Sequence, residues 1–169
     1  MEIFTWNCTD LQPSDLPEKA RRFIAMMDID VSDLTLMVLT PSPDGKFIKS
    51  FNKPYCRWAA TVEYNTIYFF GGYPKVGTAI HELTHIYFRQ SRFFKDIEYD
   101  FKAMGEKFIA QHGQNALTYY AQINILENNW AEVICEIVAV YGRRGQFNKI
   151  KKLLNQYTCQ TKKEESQHG

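Results

Sequence analysis

The sequence lacks the features that mark membrane, secreted and disordered proteins. No apolar run approaches the roughly eighteen residues that a membrane span needs. The N-terminus, MEIFTWNCTD, is acidic and has none of the long apolar core of a secretory signal. With 45% hydrophobic and 15% aromatic residues, the chain is too rich in core-forming side chains to be disordered. We therefore predict a folded protein that has no membrane partner and stays in the cytoplasm.

The net charge does not indicate a nucleic-acid partner, and the cysteine pattern does not indicate disulfides or a zinc site. Twenty basic and nineteen acidic residues give a formal net charge of +1, so a nucleic-acid partner is not expected. The basic segment Lys149–Lys152 is typical of a solvated helix face, although a nucleic-acid-associated protease stays open as an alternative. The cysteines form no CxxC pair, and without a signal peptide we expect reduced thiols at all four positions: Cys8, Cys56, Cys135 and Cys159.

The chain divides into a strand-rich first half and a helical second half. Strands are predicted over residues 2–7, 34–40 and 58–70, the last divided by a turn at Asn65, and residues 47–51 are expected to continue a hairpin from 34–40. An early helix is predicted over Leu16–Asp28 with Ser14 as its N-cap. Later helices are predicted near 74–89, 93–112, 116–143 and 147–157, with a break near Asn128–Asn129 as an alternative in the third. This order predicts an α+β fold in one domain, residues 1–157, followed by a flexible polar tail, residues 158–169.

The strongest chemical signal is HELTH at positions 81–85, inside a helical pattern. Residues four apart project from the same helix face, so His81 and His85 can reach one metal ion. Glu82 lies one residue round, where it can take a proton from a zinc-bound water without occupying a coordination position. The uncharged flanking residues predict a buried helix, in which polar groups cost free energy unless they are paired. The motif therefore predicts two zinc ligands and a general base, against the alternative of two histidines that merely pack in a core.

A zinc site needs a third protein ligand, and the known histidine and cysteine patterns do not supply one. An HExxHxxGxxH motif is absent, because Phe88 and Ser91 stand where its glycine and third histidine would be. Cys56, in PYCRW, does not match the context of a peptide-deformylase cysteine ligand. His112 and His168 have no supporting pattern around them.

Two glutamates downstream offer a better third ligand. In NNWAEVICEIVAVY, Glu132 and Glu136 stand one turn apart on an otherwise apolar helix, where like charges repel by a few tenths of a kcal/mol or more. If Glu132 binds zinc and Glu136 accepts the free N–H of a liganding histidine, both charges are compensated. Three alternatives stay open: Glu127 as the ligand, Glu136 as the ligand, or both glutamates on a narrow solvated stripe.

HExxH followed by a helix with the pattern Glu-x-x-small-acid resembles the gluzincin group of zinc metallopeptidases, to which thermolysin belongs. The resemblance covers the two helices and implies one zinc ion per chain, bound by His81, His85 and Glu132. It places Cys135 at the small position and Glu136 as the acid that orients a histidine. It also implies a zincin-like fold, in which a small twisted mixed sheet and the active-site helix precede a helical C-terminal half.

The resemblance further implies an edge strand that pairs with an extended substrate beside the cleft, and Asn65–Phe70 is the expected strand. Such enzymes use a downstream histidine or tyrosine to stabilise the oxyanion, and we assign Tyr141 to this role, with Tyr119 and Tyr120 as alternatives. The predicted function is hydrolysis of a peptide or protein substrate by a zinc-bound water that Glu82 activates. The alternative is a zincin-fold binding or regulatory protein with weak or no proteolytic activity.

Overall fold

The sheet is mixed and has five strands. The structure, a computed structural model, describes residues 4–41, 49–51 and 59–155. The strands are β1 (Phe4–Leu11), β2 (Thr35–Pro41), β3 (Lys49–Phe51), β4 (Ala60–Glu63) and β5 (Thr66–Phe70). They lie in the order β3-β1-β2-β5-β4, with β2 and β5 parallel and the other neighbours antiparallel. The predicted tail, residues 158–169, lies outside the described residues, as do Cys56, Cys159 and His168.

Within the described residues, six α-helices accompany this sheet, and five of them follow it in the chain. They are α1 (Glu18–Met27), α2 (Val76–Lys95), α3 (Phe101–His112), α4 (Tyr119–Leu126), α5 (Trp130–Arg143) and α6 (residues 147–155). The predicted α+β class and the helical second half are therefore confirmed. Among the residues that the structure describes, no helix is both long and apolar enough to cross a membrane.

Helix boundaries differ from the prediction where local capping decides them. The N-cap of α1 is Pro17, whereas the predicted cap, Ser14, lies within a short 3-10 turn. Helix α2 runs on to Lys95, and α3 starts afresh where the side chain of Asp100 accepts a hydrogen bond from the Ala103 amide. The break between α4 and α5 is confirmed, because Asn128 adopts a left-handed φ of 56° that no helix interior can contain.

The predicted hairpin between residues 34–40 and 47–51 is wrong. Strand β2 has β1 on one side and β5 on the other, so neither of its edges is left for β3. Strand β3 pairs instead with β1, at the far edge of the sheet. Composition predicts that residues 47–51 are extended. Which strand they pair with depends on which strand edges in the sheet are already occupied.

Helix α2 lies at the centre of the core. Its inward side chains, Ala79, Ile80, Leu83 and Ile86, are at most 2% exposed and share one apolar cluster with residues of α1, β5, α5 and α6. Burial of each such Ile or Leu side chain contributes about 1.5–3 kcal/mol. Helix α2 packs most extensively against α5, and this packing fixes the position of the HELTH residues relative to the glutamates of α5.

The close approach of α2 and α5 depends on a glycine. A Cβ atom at Gly142 would lie 2.5 Å from Cδ1 of Ile80, which is fully buried and cannot swing into solvent. We expect Gly142→Ala to lower the free energy of unfolding by about 1–2 kcal/mol, since about 1–3 kcal/mol of overpacking exceeds the gain in helix propensity. Urea unfolding measures this change.

The matched control for this substitution is Gly77→Ala, at the other side of the same helix pair. A Cβ atom at Gly77 would lie 3.7 Å from Arg143 Cδ, which is an ordinary contact. Gly77→Ala should leave the stability unchanged or raise it by up to about 1 kcal/mol. Equal stability of the two variants would show that the helices can move apart at no cost.

Candidate metal centre

The HELTH motif lies in the buried middle of α2. His81 and Glu82 are only 7% and 8% exposed, while His85 is partly buried one turn further along the helix. The uncharged flanks place apolar side chains towards the core, as the sequence predicts, and the two histidines project from one face. Their ring centroids are 5.2 Å apart. The local pattern alone therefore presents two imidazoles side by side.

Helix α5 brings Glu132 to these two rings. Its carboxylate oxygens lie 2.7 Å from His81 Nε2 and 2.9 Å from His85 Nε2. One ligand atom from each of the three residues lies within 4.8 Å of the others, so the group could hold a metal ion. The three predicted metal ligands thus come together, and Glu127, which was an alternative ligand, does not belong to this group.

Glu136 contacts the other nitrogen of His81. Its Oε2 lies 3.0 Å from His81 Nδ1, and its Oε1 accepts a hydrogen bond of 3.1 Å from the Thr118 hydroxyl. The Thr118 hydroxyl also accepts from the Ala121 amide and so caps α4. A carboxylate on Nδ1 orients the ring and leaves Nε2 to face the ligand group. Glu136 therefore lies where a supporting acid was predicted, and not among the three ligands.

The role of Thr118 could not be read from the sequence. A threonine before a helical segment is a recognisable N-cap signal. Its second contact, with a carboxylate on another helix, is set by the packing of α4 against α5, and no local pattern carries that information.

The pKa values of His81, Glu132 and Glu136 depend on one another. Burial lowers the pKa of His81, but hydrogen bonds with Glu132 and Glu136 outweigh burial and raise that pKa to about 10. Burial raises the pKa values of both glutamates, but the hydrogen bonds with histidine outweigh it, so both fall below the ordinary value. Three groups that would be costly to bury singly are therefore compensated together.

Glu82 stands next to the ligand group without belonging to it. Burial raises the pKa of its carboxyl group, and the neighbouring charges of His81 and His85 partly offset this rise. Among the described residues, none forms a hydrogen bond or ion pair with its carboxylate within the usual distances. A buried carboxylate that packing does not require, at the wall of a cleft, fits a group that exchanges a proton.

Tyr120 is the tyrosine that the fold brings to this site. Its hydroxyl donates a hydrogen bond of 3.2 Å to Glu132 Oε2, and its ring lies edge-on to that of His81 at 5.9 Å. Buried Asn124 donates to the Tyr120 carbonyl oxygen at 2.9 Å. Burial and then the charge of Glu132 raise the pKa of Tyr120, so the hydroxyl keeps its proton and stays a donor.

The structure does not bring Tyr141 to the ligand group. It stands nine residues after Glu132, which is two and a half helical turns and therefore the opposite face of α5. Its ring lies 6.3 Å from that of Phe108 and 5.6 Å from Lys149 Nζ, beside a separate cavity of about 370 Å³ that His112 also lines. Tyr120 therefore replaces Tyr141 as the candidate oxyanion stabiliser, and Tyr119, which is 80% exposed, does not line the cleft.

The ligand group opens into a cleft of about 1170 Å³ between α2, β4 and the α4–α5 pair. Strand β4 is an edge strand of the described sheet, and its residues Ala60, Thr61 and Val62 line the cleft. The expectation that Asn65–Phe70 forms this edge is wrong, because β5 lies between β2 and β4 and both of its edges are paired. Whether β4 or β5 forms the edge beside the cleft depends on the order of the strands in the sheet, and the sequence does not determine that order.

No protein-family model, curated protein or solved structure matches this chain. The gluzincin resemblance therefore stays a prediction, and the function has to be argued from the site itself.

Proposed function

We propose that this chain is a zinc-dependent metallopeptidase with a zincin-like fold of the gluzincin type. The observation that carries the proposal is the convergence of His81, His85 and Glu132 beside the buried carboxylate of Glu82, at the wall of an open cleft. Packing alone would not select four ionisable side chains at one buried point.

The donor set fits zinc and does not fit calcium or magnesium. Two imidazole nitrogens and one carboxylate oxygen form the ligand set of many catalytic zinc sites, whereas calcium and magnesium prefer oxygen ligands throughout. The contact of Glu136 with His81 Nδ1 supplies the supporting carboxylate that such histidines usually have. Three protein ligands also leave a coordination position open, which a structural zinc site would not.

Each side chain then has a role in peptide hydrolysis. Bound zinc acts as a Lewis acid that lowers the pKa of water and polarises a carbonyl oxygen. Glu82 accepts the proton of the attacking water and passes it to the leaving amine. Tyr120, held by its hydrogen bond to Glu132, has a hydroxyl donor that can turn towards an oxyanion in the cleft. The free edge of β4 offers backbone groups that can pair with an extended peptide.

The alternative is a zincin-fold binding or regulatory protein. The buried carboxylate of Glu82 argues against this alternative, since a protein that only binds a ligand does not need a general base. Tyr120 also weakens it, because its hydroxyl places at the ligand group a hydrogen-bond donor that catalysis uses.

Metal content, stability and hydrolysis together test the proposal. The purified protein should contain about one zinc ion per chain and cleave a casein-like protein. Removal of zinc by a chelator should abolish cleavage and lower the melting temperature by about 10 °C, since saturation at about a thousand times the Kd contributes roughly 4 kcal/mol. Added zinc should restore both properties. Zinc binding without cleavage would support the binding protein, and no zinc uptake would exclude both.

A further inference from the structure

One end of the cleft carries two cations that have no ion-pair partner among the described residues. Lys75 immediately precedes α2 and Arg143 ends α5, and both side chains are exposed and line the cleft. Arg143 lies against the first turn of α2, where its Cδ would be 3.7 Å from a Cβ atom at Gly77. The Lys19 ammonium donates to the Arg143 carbonyl oxygen at 2.8 Å and holds the backbone at this point. We call this region, Lys75 with Arg143, the basic end.

Helix geometry relates the basic end to the ligand group. Arg143 stands eleven residues after Glu132, which is three turns of α5, so both side chains face the cleft. Gly77 stands one turn before His81 on α2, about 6 Å along the helix axis. An extended peptide advances about 3.3 Å per residue. These separations, about 6 Å along α2 and about 16 Å along α5, place the basic end roughly two to five peptide residues from the ligand group.

The carboxylates of the cleft form no ion pair with the basic end among the described residues, and the charge of Arg143 acts only at longer range, where it helps to lower the pKa of Glu136. Glu82, Glu132 and Glu136 are gathered at the ligand group, and Glu127 stands on the rim formed by the end of α4. At the opposite end, Arg89 donates to the Tyr64 carbonyl oxygen in the turn between β4 and β5. The basic end therefore has two cations and the opposite end has Arg89 alone, so a negative group on a bound peptide meets the greater positive charge at the basic end.

We infer that the cleft selects peptides that carry a carboxylate roughly two to five residues from the bond lying at the ligand group, and that Arg143 with Lys75 binds this carboxylate. The inference rests on the proposed peptidase function and adds a substrate class to it. Arginine suits the task because its planar guanidinium pairs with a carboxylate through two hydrogen bonds. The carboxylate is either an Asp or Glu side chain or the C-terminus of the peptide.

Peptide retention tests the inference without requiring hydrolysis. Zinc-loaded Glu82→Gln protein is immobilised and offered degenerate octapeptides with free or amidated C-termini, and the retained peptides are quantified by mass spectrometry. We expect peptides with Asp or Glu to be enriched about fivefold over those with Asn or Gln at one position, an effect of the size of one solvent-exposed ion pair. Enrichment that disappears on amidation would identify the C-terminal carboxylate as the source.

Substitutions at α5 assign the effect to Arg143. Arg143→Ala in the same protein should reduce the enrichment to below about twofold, and Arg143→Glu should invert it towards Lys and Arg. Arg144→Ala is the matched control, since Arg144 is the next residue, is also exposed and does not line the cleft; it should leave the enrichment unchanged. Equal retention of acidic and amide peptides, or enrichment that survives Arg143→Ala, would overturn the inference.

Cleavage of the retained peptides by the wild-type protein is measured separately. Cleavage roughly two to five residues from the enriched acid would support the inference and the peptidase function together. Retention of acidic peptides without cleavage would keep the carboxylate selection and overturn the proposed function.

Discussion

Glu82→Gln is expected to lower the kcat of peptide hydrolysis by about a thousandfold, within the range that general base catalysis contributes. Glutamine has nearly the same size and polarity but cannot accept a proton. Glu82 is not one of the three ligands, and its side chain has no ion pair with a described residue that the change would break. Zinc content and melting temperature should therefore stay close to those of the wild type. Initial rates on a fluorogenic peptide, with metal analysis of the same samples, measure both quantities.

The control is Glu106→Gln, an exposed glutamate on α3 outside the cleft, which should keep the wild-type rate. More than a tenth of the wild-type kcat in Glu82→Gln would mean that another group takes the proton. A lower zinc content in this variant would instead place Glu82 among the ligands, contrary to the geometry.

Glu132→Ala is expected to lower zinc affinity by more than about a hundredfold, the upper end of what the loss of a supporting residue costs. Glu132 is the residue that reaches both histidines, so its removal leaves two ligands, too few to hold zinc at the open site. His81→Ala should have a similar effect, because it removes a ligand and the contact between His81 and Glu136. Competition with a chromogenic chelator measures the affinities.

Alanine substitutions of Glu136 and Glu127 show whether Glu132 or one of these glutamates is the third ligand. Glu136→Ala should lower zinc affinity only by about 10–100-fold, since Glu136 acts through His81. Glu127→Ala should leave it unchanged, because Glu127 lines the cleft outside the ligand group. Retained zinc in Glu132→Ala, with loss in one of these two variants, would transfer the third ligand to that residue.

Sequence periodicity was enough to identify the two helix faces that meet at the site. A spacing of four residues puts His81 and His85 on one face of α2, and the same spacing puts Glu132 and Glu136 on one face of α5. Both pairs are charged or polar groups in apolar surroundings, so each pair needs polar partners. For this reason contact between the two faces could be expected, whereas the choice of Glu132 over Glu127 and Glu136 as the ligand came from the resemblance.

Periodicity could not choose among the ten tyrosines or fix the wall of the cleft. Tyr120 reaches Glu132 because α4 packs against α5. Tyr141 is nearer to Glu132 in chain order, but it lies on the far face of α5. Strand β4 is at the edge because β2 takes β5 as its second neighbour.

The sequence by itself determined which faces of α2 and α5 carry the chemistry, because side-chain direction along a helix follows from spacing alone. The tertiary structure decided which tyrosine joins Glu132, which strand borders the cleft and where Arg143 lies. These features depend on contacts between residues far apart in the chain, and such contacts are selected by the packing of the whole core rather than by any local pattern.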